Sequence, residues 1–239
     1  MTTSRKKITV VNADDNEPIR LRIEASIAPL VSADGPEIEV ITLPGGPKLM
    51  QTQQDIDSVA APLKKLVEGD TETDVFVVAC FADPGLAEAR AVSKGRKVLG
   101  INQSGINAAL ALGDKVGVIA VQDAAVPRHR KYYESLGISD RVVGERAIDL
   151  DLGDAEHADD PTTAIDPNAV AAALVKVGTA LRDEDGADVI VLGEGGVSFA
   201  RDLLEQALGI PVVDPTAAAV GLAIVAATSF PLPTPPAAS

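Results

Sequence analysis

Cys80 is the only thiol in the chain, and it follows the apolar run Val75–Ala79 (VFVVA) directly. Phe81-Ala82-Asp83-Pro84 comes next, and this reads as a helix start with Asp83 as N-cap and Pro84 at the first helical position. A thiol just ahead of a helix N-terminus meets unpaired amides and a positive dipole end. Both lower its pKa from about 8.5 and make it a usable base or nucleophile. Cysteine is equally at home as a small, buried hydrophobe, so both readings stand here. Glu194 closes a second apolar run, in LGEGGVSF (192–199). A carboxylate at the end of a buried strand is unusual, and the flanking Gly195 and Gly196 let the backbone approach a ligand closely. The competing reading is a glutamate that caps the following helix through its free N–H groups.

Other polar residues are less specific. Asn12, Asp14 and Asp15 follow the first apolar run, where such residues serve turns and caps as readily as ligands. His129 reads as part of a basic, exposed helix (VPRHRKYYESLG), and His157 as part of an acidic loop. A dinucleotide cradle is not expected: in GEGG the third glycine of the fingerprint falls on Ser198, and Gly100–Gly105 (GINQSG) lacks the middle glycine.

The elements that must hold these residues are β-branched runs alternating with helices. The runs are Lys7–Asn12, Glu37–Leu43, Asp74–Cys80, Lys97–Ile101, Lys115–Val121, Asp188–Gly193 and Pro211–Asp214, with Arg141–Asp149 a weaker case. Near-continuous apolar strands suit a parallel sheet covered on both faces. Val170, Leu174, Val177 and Leu181 form one helical stripe, and Asp57–Glu68 and Ala87–Ser93 also read as helices. The pattern runs through twice: Ile8–Asn12 leads to Cys80, and Val116–Ala120 leads to Glu194, at equivalent strand ends. Ligands of open parallel sheets bind beyond the carboxyl ends of strands. An α/β fold is therefore expected, of two pseudo-symmetric lobes, each a parallel sheet flanked by helices, with the active site in the cleft between them. The expected boundaries are 1–99 plus 213–229 for the lobe of Cys80 and 100–212 for the lobe of Glu194. Residues 151–167 read as a solvated acidic loop, and 230–239 as a Pro-rich disordered tail.

Composition narrows the function. Among 239 residues, Lys+Arg number 21 against Asp+Glu 35, a net charge of −14 that repels nucleic acid and anionic lipid surfaces. Hydrophobic residues reach 46% but aromatics only 3%, so the core must be aliphatic and alanine-rich. One cysteine and two histidines exclude a disulfide framework and argue against a metal centre. With no long apolar span and no signal-peptide core, a cytoplasmic protein is expected.

VVACFADPGL (77–86) resembles the strand and loop around the first catalytic cysteine of hydantoin and allantoin racemases, in the aspartate/glutamate racemase superfamily. Asn12 stands where that family has an Asn-x-Asn-Thr loop, and VLGI (98–101) leads into a helix. VIVLGEGGV (189–197) takes the place of the second-cysteine motif, and GIPVVDPTAAAV (209–220) follows in order. The resemblance runs from Lys7 to Ala227. It implies a cofactor-independent racemase or epimerase, in which two groups on opposite sides of a small carboxylate or hydantoin-like substrate remove and return a proton. Cys80 takes the first role, and Glu194 replaces the second cysteine. Asn12, Asp14, Phe81, Ala82, Gln122, Gly195 and Gly196 are then the candidates for substrate contact. The chain departs from the family at Asp14 and Asp15, which replace Asn and Thr, and at Ala120, Val121 and Gln122, which replace hydroxyl residues. Superfamily relatives with one essential cysteine decarboxylate or isomerise. A decarboxylase, cis–trans isomerase or hydrolase is therefore one alternative, and a non-catalytic binder another. No cofactor or metal is expected; the expected partners are a small-molecule substrate and further copies of the chain.

Overall fold

Parallel pairing organises both halves of the chain. The computed structural model describes residues 5–48, 50–148 and 167–229, and it divides into two compact units: Met1–Ile101 with Ala219–Ser239, and Asn102–Ala218.

In the first unit the strands are β1 (Lys7–Asn12), β2 (Glu37–Thr42), β3 (Val75–Val78) and β4 (Lys97–Gly100), in the order β2-β1-β3-β4. All pairs are parallel, with Val11 opposite Val78 and Val78 opposite Gly100. β3 (VFVV) is buried at every position, as a strand covered on both faces requires. Its flanking helices are α1 (Glu17–Ile27), α2 (Gln53–Ser58), α3 (Ala60–Gly69) and α4 (Leu86–Val92). Val11, Leu43, Val59, Leu63, Val67, Phe76 and Val98 form the core between them.

The second unit repeats the plan. Its strands β5 (Val116–Ala120), β6 (Val142–Ala147), β7 (Val189–Leu192) and β8 (Val212–Val213) pair in parallel in the order β6-β5-β7-β8. β5 and β7 are buried throughout. The helices here are α5 (Ile101–Leu112), α6 (Val126–Leu136), α7 (Pro167–Asp183), α8 (Arg201–Leu208) and α9 (Pro215–Ser229). Two of them cross the division: α5 has Ile101 in the first unit, and α9 passes into it at Ala219. The stripe Val170, Leu174 and Leu181 of α7 is buried against Ile119, Ile190 and Leu192.

Several local expectations need correction. The helix expected over 57–68 is two helices broken at Val59. Thr52 and Asp55 cap α2 with a reciprocal box, and the break places Pro62, which has no N–H to donate, in the first turn of α3. The helix expected from Pro84 starts instead at Leu86, because Asp83 (φ 47°) and Gly85 (φ 66°) are left-handed. Gly85 has no alternative, since a β-carbon there would lie 2.8 Å from Ala60 Cα. His129 is not exposed: it is buried, and its Nδ1 lies 2.6 Å from Glu145 Oε1 on β6. His157, residues 151–166 of the acidic stretch and the tail 230–239 lie outside the described residues. No described helix is long and apolar enough to cross a membrane.

Candidate active site

In the first unit the site residues gather at the carboxyl ends of the adjacent strands β1 and β3. The ladder closes with Ala79 N–H donating to Val11 O at 2.8 Å, and Cys80 is the next residue. Its side chain is half-buried, packed against the core on one side without being sealed within it. The chain then turns, and Asp83 N–H donates to Cys80 O at 2.9 Å. Phe81 within this turn is buried and Ala82 half-buried. The turn runs to Leu86, so the first helical residue is two positions further from Cys80 than the sequence reading places it.

Asn12 ends β1 and is buried, and its amide nitrogen donates to Asp14 Oδ1 at 2.6 Å and to Asn16 O at 3.1 Å. Asn16 in turn N-caps α1 by accepting from Ile19 N at 3.2 Å. Asn12 and Asp14 are thus brought together, with both amide hydrogens of Asn12 committed to the loop. What remains for another molecule is acceptor chemistry. Asp15 is set apart, paired at the surface with Lys48.

The second unit builds the same corner. Gly193 N–H donates to Ile119 O at 2.8 Å, and Glu194 is the next residue, half-buried in extended backbone (φ −158°). Gly193 is required, because a β-carbon there would stand 2.7 Å from Ile119 O. Gly195 and Gly196 open a 3-10 turn that runs to Ala200, and the Glu194 side chain accepts no capping N–H from it. The helix-capping reading of Glu194 therefore fails. Gln122, two residues beyond β5, is exposed; its carbonyl accepts from Ala125 N at 3.1 Å.

Asp214 is a residue the sequence reading passed over. It follows β8, is buried, and caps α9 by accepting from Thr216 N at 2.8 Å and Ala217 N at 3.2 Å. Its carboxylate also accepts the hydroxyl of Ser198, in the turn after Glu194. Burial pushes the Asp214 carboxyl above the usual range, against the opposing pull of Ser198, those amides and the Arg201 charge. The sequence signal was an Asp-Pro pair ending an apolar strand, which marks a cap but not a buried one.

The register makes Cys80 and Glu194 equivalent. Each lies two residues beyond the last residue of the third strand of its sheet order, after an N–H that closes onto the central strand at 2.8 Å. Asn12 and Ala120 correspond likewise, accepting from Leu43 N at 2.9 Å and Ile148 N at 3.1 Å. The two acid–base candidates belong to different units.

The profile of the family described as Asp/Glu/Hydantoin racemase matches residues 8–223. The chain belongs to this family. A hydantoin racemase of Rhizobium meliloti is 34% identical over 194 residues, covering 81% of this chain and 74% of that protein. A hydantoin racemase of Pseudomonas sp. (strain NS671) is 28% identical over 218 residues, covering 91% and 84% respectively. Among solved structures, allantoin racemase from Pseudomonas fluorescens superposes with a TM-score of 0.77 at 25% identity, covering 92% of this chain and 90% of its own. Membership makes the chain an enzyme of the racemase-type isomerase class.

Proposed function

We propose that the protein is a cofactor-independent racemase or epimerase of a hydantoin-like substrate, with Cys80 and Glu194 addressing opposite faces of one activated carbon. The observation that carries this reading is the equivalence of the two residues in backbone register. A family of racemases built from a repeated half needs one proton-transfer group per half. In this chain the two equivalent corners hold a thiol and a carboxyl, both able to exchange protons near neutrality when suitably placed.

Proton removal next to a carbonyl generates an enolate. The carbon then accepts a proton from the opposite side, which inverts the centre and leaves the two protein groups with exchanged protonation. The substrate class follows from what the β1 corner offers. Asn12 has spent its donors on Asp14 and Asn16, which leaves its side-chain oxygen as an acceptor beside the Asp14 carboxylate. Acceptors suit a neutral ring bearing N–H groups, whereas a free carboxylate would meet repulsion there and from the net charge of −14.

The test is a 5-substituted hydantoin incubated in D2O, followed by chiral separation and by loss of the α-proton signal. Wild type should incorporate deuterium as it racemises. Cys80→Ala and Glu194→Gln should each lower kcat by about 10²–10⁴-fold with unchanged circular dichroism. Full activity in either variant refutes the assignment. Ring-opened product without deuterium at the stereocentre would point instead to hydrolysis, and turnover of a malonate or of maleate but of no hydantoin would point to decarboxylation or cis–trans isomerisation on this scaffold.

A further inference from the structure

The register that equates Cys80 with Glu194 equates a second pair. Val78 faces Gly100 across β3 and β4. Across β7 and β8, Ile190 faces Val212 and Val191 faces Val213, so the next step sets Leu192, the counterpart of Val78, beside Asp214. Gly100 and Asp214 are therefore equivalent, and each immediately precedes a helix, α5 in one case and α9 in the other.

At Asp214 the residue's own carboxylate fills the N-cap space, bonded to Thr216 N and Ala217 N, and also reaches Ser198 in the turn after Glu194. At Gly100 there is no side chain, and a different carboxylate occupies the space. A β-carbon built on Gly100 would lie 2.2 Å from Asp83 Cγ and 2.3 and 2.4 Å from its two oxygens. Asp83 is buried and left-handed (φ 47°), a conformation that a non-glycine residue adopts at a cost, and its N–H is bonded to Cys80 O. The same bridge is thus built from opposite ends. In one unit the carboxylate comes from the thiol's loop and reaches the helix head. In the other it comes from the helix head and reaches the glutamate's loop.

We propose that Asp83 and Asp214 are paired positioning residues, each tethering the loop that carries one acid–base group to the head of the helix following the neighbouring strand. Asp83 acts through Cys80, and Asp214 acts through Ser198 on Glu194. The acid–base roles rest on the function proposed above; the tethers themselves do not. Capping alone would be served by many side chains. The left-handed strain at Asp83 and the bond from Asp214 to the opposite loop are what a tether adds.

The experiment uses the full chain and two readouts, racemisation of a 5-substituted hydantoin and the rate of iodoacetamide alkylation, which reports Cys80 alone because no other thiol is present. Asp83→Ala should lower kcat about tenfold with KM within about twofold, and should alkylate several-fold faster as the turn loosens. Asp214→Ala should lower kcat similarly while leaving alkylation unchanged; Ser198→Ala should reproduce that loss, and the two together should add nothing further. Asp214→Asn, which keeps an oxygen for the cap, should recover most of the rate. The decisive variant moves the carboxylate to the position it has in the other unit: Asp83→Gly with Gly100→Asp should restore both kcat and the wild-type alkylation rate. Unchanged kcat and alkylation in Asp83→Ala, or a folded double variant that restores neither, overturns the proposal. Should wild type fail to racemise any hydantoin, the function proposed above falls, and alkylation alone still decides the Asp83 tether.

Discussion

Glu194 stands in its unit where a thiol would complete a symmetric pair, and the substitution has an energetic consequence. Unperturbed carboxyl and thiol groups differ by about four pKa units, roughly 5.7 kcal/mol. In the proposed mechanism each turnover exchanges their protonation, so unequal affinities favour one resting form and one substrate enantiomer as the faster starting point. Replacing Glu194→Cys should bring the two kcat values to within about threefold of each other, measured by polarimetry from either pure enantiomer. Asp214 supplies a separate, pH-based prediction. Burial raises its folded carboxyl above the unfolded value of 3.8, so the folded state holds a proton that the unfolded state has lost. Its contribution to stability is most favourable below that value and declines as pH rises through the folded pKa. Asp188 has the opposite sign: the amides of Lys115 and Asp114 hold its carboxyl low, and its contribution is lost as pH falls through the folded value. Urea denaturation from pH 4 to 7 should therefore show Asp214→Asn gaining on wild type as pH rises. The type and strand-end placement of Cys80 and Glu194 were legible in sequence because apolar runs end visibly. The burial of Asp214 and His129 was not, because it depends on partners far along the chain, Ser198 and Glu145.

At the scale of elements, the candidate corners depend on close backbone approach. Gly193 continues β7 past its last residue so that its N–H meets Ile119 O, and there is no room for a side chain. Gly193→Ala should cost about 1–3 kcal/mol in urea denaturation and displace Glu194, lowering kcat more than it raises KM. Gly105 on α5 plays a similar part against Pro215 of α9, where a β-carbon would stand 2.6 Å from Pro215 Cβ. The alternation of strands and helices, and every strand anticipated, could be read from β-branched runs. Element starts could not. Asp-Pro at 83–84 looked like a helix N-terminus, but the left-handed backbone at Asp83 and Gly85 delays the helix to Leu86. That delay answers to tertiary demands, the approach of Gly85 to Ala60 and the delivery of the Asp83 carboxylate to Gly100.

At the scale of the whole molecule, one plan is used twice, and the two sheets share strand order as well as register. The units are not consecutive, however. The second is a continuous stretch, Asn102–Ala218, while the first is assembled from Met1–Ile101 and the segment beginning at Ala219. In that segment Ala219, Val220, Ala223, Ala226 and Ala227 are buried along one helical face of α9. Deleting residues from 219 onward should therefore lower the melting temperature and broaden the transition, as seen by circular dichroism. The order of synthesis acquires a meaning from this arrangement. Domains that emerge from the ribosome usually fold from the N-terminus onward. Here the half begun first is finished last, so the nascent thiol-bearing lobe must wait, incomplete, until the lobe inserted within it has been translated in full.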